Sequence, residues 1–250
     1  MKAFFLIITS LFVMFGAAQS EKQLVQQAEK QEAALNEQGA FETYKLVLQK
    51  NPKNFQALWK ASELCSRIGN RQNTKELKHQ YFRDGKTYAE NAIKVAPSEA
   101  DGYYALAVAT GRLALSQSGK EKVAAVKEIR NNAEKALKIN PKHFRAWHVM
   151  GKWHYEVTNL NMFEKAGLKL IYGGLPPSSL TQSIQAYEKS RSLQPDFALN
   201  YLELAKAYKK DGQQTKAIAL LKQLPSLPNK TLDDARIKKE GAALLNDLLD

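Results

Sequence analysis

The stretch 196–228 constrains the whole chain, because it reads as one helix, a glycine turn and a second helix that must return alongside the first. Tyr201, Leu204, Ala205 and Tyr208 recur at the i, i+3, i+4, i+7 spacing of a single helical face. Lys210, Asp211 and Gly212 stop that helix at a residue that tolerates a left-handed turn. Ala217, Leu220, Leu221 and Leu224 mark the apolar face of the returning helix, until Pro225 and Pro228 end it. Small side chains at Ala205 and Ala217 allow the two backbones to approach, and Tyr201, Tyr208 and Leu221 fill the space around them. Such a hairpin cannot bury both of its faces alone, so it needs stacked neighbours.

Those neighbours are present as less regular copies. Pro52, Pro97, Pro141 and Pro195 each close a helix, at spacings of 45, 44 and 54 residues. The chain resembles a tetratricopeptide array, whose plain unit is about 34 residues, with the excess in loops or longer helices. The expected architecture is all-α: a superhelical α-α solenoid of units at 21–52, 55–97, 98–141, 144–195 and 196–228. A capping helix over 231–249 follows, with Thr231 as its N-cap and Asp233 and Asp234 in its first turn. Between the helices of the fourth unit lies an insertion, 162–175. Met162, Phe163, Leu168, Leu170, Ile171 and Tyr172 make it apolar on more than one face, so it is expected to be a buried brace between repeats. The lip of a lipid-sized cavity is the alternative.

Residues 1–20 are set apart from the array. Lys2 precedes an apolar run over 3–18, and Ala18 and Ser20 supply small side chains for cleavage, after Ser20 first and after Ala18 second. These features are those of a signal peptide, and the expected location is periplasmic or secreted, with an N-terminal membrane anchor as the alternative. The single cysteine, Cys65, lies in a helical apolar pattern and is expected to be buried and inert.

No catalytic, metal or cofactor constellation is legible. His79, His143, His148 and His154 fall at no metal-ligand spacing, and no nucleophile elbow is present. A non-catalytic interaction module is expected. The phase of the first helices turns Trp59, Arg67, Tyr104, Arg112, His148, Lys152, Tyr155, Lys206 and Lys209 towards the concave groove, with Glu63, Val108 and Leu202 beside them. With a formal net charge of +12, this basic and aromatic groove fits an anionic protein or peptide. A phospholipid or membrane surface is the alternative partner, and nucleic acid the least expected.

From His143 onward a more specific likeness appears. Gly151 through Val157, Glu164, Lys165, Gly174, Pro176, Pro177, Tyr187 through Pro195, Ala205 through Tyr208 and Leu227 through Thr231 resemble the regulator of microtubule dynamics family over residues 143–249. The resemblance implies a helical-repeat fold. In eukaryotes it also implies tethering to membranes near mitochondria, microtubule association, organelle contacts and, for some members, phospholipid binding.

Overall fold

The computed structural model describes residues 19–114, 119–172 and 178–250, and among them the regular structure is helical throughout. The leader-like run of residues 1–18 lies outside the described residues, as do Gly173, Gly174, Pro176 and Pro177 of the insertion. Helices α1 (Glu21–Ala33), α3 (Phe55–Asn70), α5 (Ala100–Ala114), α7 (Phe144–Asn159) and α10 (Ala198–Lys210) alternate with α2 (Glu37–Lys50), α4 (Lys75–Val95), α6 (Gly119–Ile139), α9 (Leu180–Leu193) and α11 (Gln214–Gln223). Helix α8 (Met162–Tyr172) falls between α7 and α9, and α12 (Asp234–Leu249) ends the chain. Each first helix packs on its own second helix, and α3, α5, α7 and α10 also touch in succession. That places them in one layer, backed by α4, α6, α9 and α11.

The proline junctions repeat one device. The ring six residues after the proline donates to the proline carbonyl: Tyr103 Oη to Pro97 at 3.1 Å, Trp147 Nε1 to Pro141 at 2.8 Å, and Tyr201 Oη to Pro195 at 2.8 Å. Each bond satisfies a proline carbonyl in the turn between two helices, and so ties that turn to the first turns of the next helix. Leu58 stands at the corresponding place after Pro52 and has no such donor. Helix starts are fixed by side-chain caps at Ser20, Asn36, Asn54, Thr74 and Ser179, and by His143, whose Nδ1 accepts from the Ala146 N–H.

The hairpin of 196–228 folds as its pattern requires. Gly212 takes φ +73° between α10 and α11, and Tyr201, Leu204, Ala205, Tyr208, Ala217, Leu220, Leu221 and Leu224 share one buried cluster with Tyr187 of α9. Leu221 is 1% exposed. Leu221→Ala will therefore destabilise by about 2–5 kcal/mol, read as a lower urea midpoint. Gly151 marks where α7 and α9 press closest, since a Cβ there would lie 2.6 Å from the Tyr187 ring.

Two expectations are corrected. Met162, Phe163 and Leu170 of α8 are 84–90% exposed, so these residues do not form a buried brace. Helix α8 packs on α6, and that contact leaves these three side chains in water. The last helix begins at Asp234, and Thr231 does not cap it. Instead the Asp234 carboxylate folds back to accept the N–H groups of Lys230 and Thr231, each at 2.7 Å. A carboxylate accepting two amides outcompetes one hydroxyl cap.

Candidate functional site

The inner layer carries acids as well as the expected cations, and the two are interlocked. Arg67 on α3 reaches Glu32 at 3.0 Å, Glu37 at 3.3 Å and, one turn back on its own helix, Glu63 at 3.9 Å. Glu63 also faces Arg145 of α7 at 3.4 Å and accepts the Tyr104 hydroxyl at 3.2 Å. Burial by itself would raise the Glu63 pKa, but Arg145, Arg67 and Lys60 outweigh it and hold the carboxyl at about 2. Its four partners come from α3, α5 and α7, so this carboxylate ties three successive first helices together.

A second centre repeats the design at Glu203 on α10. Lys152 of α7 donates to it at 2.7 Å and Lys206 at 2.8 Å. Lys152 also meets Glu156 at 2.9 Å, and Lys206 meets Glu240 of α12 at 2.7 Å. Against the opposing effect of burial, the two lysines bring Glu203 to about 2.

The expected groove residues divide accordingly. Arg67, Lys152 and Lys206 are ion-paired within the fold. The structure places Tyr104 and His148 in the interior instead of on a free surface, because both rings pack between consecutive helices and find internal partners. Tyr104 packs against His143, while His148 Nδ1 lies 3.0 Å from Asn200 Oδ1 and its ring packs on Phe197 and Tyr187. Burial lowers the His148 pKa to about 4, against the opposing pull of Asn200 and Glu203. Trp59 is half-buried on Ala89, Ala105 and Leu106, with Lys60 Nζ 4.6 Å from its ring centroid. Tyr155 sits at the rim, flanked by Lys152 at 5.7 Å and Lys210 at 5.2 Å. Lys209 is exposed and bridges to Asp247. Arg112 donates to Asn70 Oδ1 at 3.2 Å and forms no ion pair among the described residues. Cys65 is buried, which raises its thiol pKa well above the ordinary value.

The acids Glu32, Glu37, Glu203 and Asp233, and Arg145 among the bases, were absent from the sequence-derived site. Two signals pointed their way: Glu63 stands four residues before Arg67 and Glu203 three before Lys206, the spacings of helical ion pairs. Glu37 carried no such signal, and the spacing of Asp233 pointed only to Arg236, three residues on. Glu37 is 1% exposed beside Arg67 and Arg71, and it accepts the Leu232 N–H at 3.2 Å from 195 positions away. Arg71 in turn meets Asp233 at 3.2 Å. The segment before α12 thus crosses to the first helices, and the inner face is bridged from end to end by charge.

Antiparallel helix pairs stacked with their first helices in one layer define a tetratricopeptide-like α-solenoid, the class of fold that serves as a protein-interaction scaffold. A thermophilic TPR protein of Thermus thermophilus shares it, with a TM-score of 0.64 at 15% identity, over 90% of this chain and 100% of that one. The chain belongs to the regulator of microtubule dynamics family: the model described as "Regulator of microtubule dynamics protein 1-3" matches residues 21–249. It is 26% identical over 246 residues to Regulator of microtubule dynamics protein 1 of Mus musculus, covering 97% of this chain and 79% of the relative. It is 25% identical over 193 residues to Regulator of microtubule dynamics protein 3 of Xenopus laevis, covering 77% and 41%. The chain spans about two-fifths of the length of the protein 3 relatives from frog, mouse and rat.

These relatives correct the expected location. They are eukaryotic proteins named for microtubule dynamics, which is a process of the cytosol, and not periplasmic or secreted proteins. An apolar run records only that its side chains avoid water, and the compartment in which they do so is not written in it.

Proposed function

We propose that the chain is a non-catalytic scaffold, working as five helix pairs with a terminal cover over 231–249, that binds an acidic protein surface on microtubules. The observation that carries this reading is the lysine-rich rim around Tyr155. Lys152 and Lys210 flank that ring, Lys209 is the neighbour of Lys210 on α10, and two of the acids that pair with these lysines, Glu156 and Asp247, are themselves exposed. Exposed pairs contribute only about 0–1 kcal/mol each, so an incoming carboxylate can replace either acid with little loss. The names of the relatives supply the microtubule, whose tubulin tails are acidic, and the net charge of +12 favours that encounter.

The test is co-sedimentation with stabilised microtubules, before and after subtilisin removes the acidic tails. Pelleting is expected to weaken with salt and with tail removal. A Lys209→Glu, Lys210→Glu double variant loses two contacts of about 0.5 kcal/mol each and should pellet roughly fivefold more weakly. Lys206 is unsuitable for this purpose, because it holds Glu203. Absence of pelleting at low salt, or pelleting indifferent to the tails, would refute the reading.

A second reading, binding of phospholipid, is favoured by one observation, the exposed apolar side chains Met162, Phe163 and Leu170 of α8. Flotation with anionic vesicles tests it, and Phe163→Asp should abolish flotation.

A further inference from the structure

Among the described residues, the inner-layer cations are paired with carboxylates on every side of Arg112, but not at Arg112 itself. Its guanidinium sits at the inner end of α5 with one amide oxygen for company, Asn70 Oδ1 at 3.2 Å. Burial lowers its pKa, and the charge that counters this most is that of Asp233. A partly buried guanidinium without an acid in contact is costly to maintain. Close by, Asp233 is 8% exposed, with Oδ2 3.2 Å from Arg71 Nη1. Its Oδ1 lies 3.9 Å from Arg236 Nη2 and has no hydrogen-bond partner. The residue before it is held through its backbone, the Leu232 N–H donating to Glu37. Residues 231–233 therefore lie on the inner face as a turn, held by one main-chain hydrogen bond to Glu37 and by one carboxylate between arginines.

We infer that Arg71 and Arg112 form a carboxylate-binding site for an acidic peptide, and that the turn at residues 231–233 occupies it in cis as a tethered substitute. The inference deepens the scaffold reading, resting on its acidic partner but not on microtubules. Three features favour displacement. The exchange is one carboxylate for another, so the charge of the site is unchanged. The tethered acid leaves Arg112 without direct contact, which a free ligand could make. The Leu232 side chain is half-exposed and does not anchor the segment. A short tether holds its segment at an effective concentration on the order of millimolar, so a free peptide competes poorly while Asp233 keeps its charge.

The probe is a fluorescent peptide of residues 229–236, which carries both acids of the native segment, and the readout is anisotropy. Asp233→Asn preserves shape and removes the competing charge, and it should tighten peptide binding at least roughly tenfold over the unaltered chain. Adding Arg112→Gln should erase that gain, and a peptide with both aspartates replaced by asparagine should not bind. Equal affinity for the unaltered chain and the Asp233→Asn variant, with matching helical circular dichroism, overturns the inference. So does a gain that survives Arg112→Gln. Should the variant not fold, the unaltered chain is titrated with millimolar peptide while its arginine Nε–H resonances are followed. Displacement shifts the Arg71 and Arg112 signals, and unmoved signals overturn the inference. The microtubule reading can fail in sedimentation while this one succeeds, since the probe here contains no tubulin.

Discussion

Glu37→Ala will lower the free energy of unfolding by about 3–5 kcal/mol, measured by urea denaturation followed through helical circular dichroism. The side chain is 1% exposed at the start of α2 and serves three donors: Arg67 at 3.3 Å, Arg71, and the Leu232 N–H at 3.2 Å. Removing one carboxylate leaves two guanidiniums partly unmatched inside the fold and orphans a backbone amide. Arg67 retains Glu32, and Arg71 retains only Asp233. Glu37→Gln should fall between the two, because its amide oxygen can still accept from Leu232 while the charge is gone. Glu42→Ala supplies the control, since its bridge to Lys45 at 2.9 Å joins two exposed side chains and is worth at most about 1 kcal/mol. If Glu37→Ala proved no more damaging than Glu42→Ala, the end-to-end charge bridge would have no part in stability.

Acid will unfold the protein in two overlapping stages. His148 titrates at about 4 when folded and near 6.5 when unfolded, so below pH 6.5 the unfolded chain binds the extra proton. Its contribution is complete above 6.5 and is lost as pH falls through 4, about 3 kcal/mol in all. Glu63 and Glu203 titrate at about 2 when folded, against 4.5 ordinarily. Their stabilisation is present above 4.5 and disappears as pH falls towards 2, again about 3 kcal/mol for each. Both effects have the same sign, so melting temperature should decline gently from pH 6.5 and steeply below 4.5. Glu203→Gln will be less stable at pH 7 yet flatter below pH 4.5. A melting temperature constant between pH 7 and 3 would contradict the buried-carboxylate account.

The repeat was legible because its determinants are local. The i, i+3, i+4 spacing of Tyr201, Leu204 and Ala205, the left-handed turn at Gly212 and the breaks at Pro52, Pro97, Pro141 and Pro195 each act within one or two helical turns. Of the rings that follow three of those prolines, Tyr201 was visible as an apolar position, but the hydrogen bonds to the proline carbonyls were not, because both residue types have commoner uses. Helix α8 misled because apolar composition records a preference for burial and not whether a neighbour is present to provide it. The lysines and arginines of the inner face were visible too, without the acids that neutralise them.

What the sequence alone determined is the unit: two helices, their apolar faces, the turn between them and the need to stack. What only the tertiary structure decided is the electrical state of the inner face. Glu37 and Leu232 stand 195 positions apart, and no periodicity links residues at that separation. Helical pattern reports on neighbours three or four residues away, whereas the pairing of buried charges depends on how far the stacked pairs have turned, a sum over every junction in the chain.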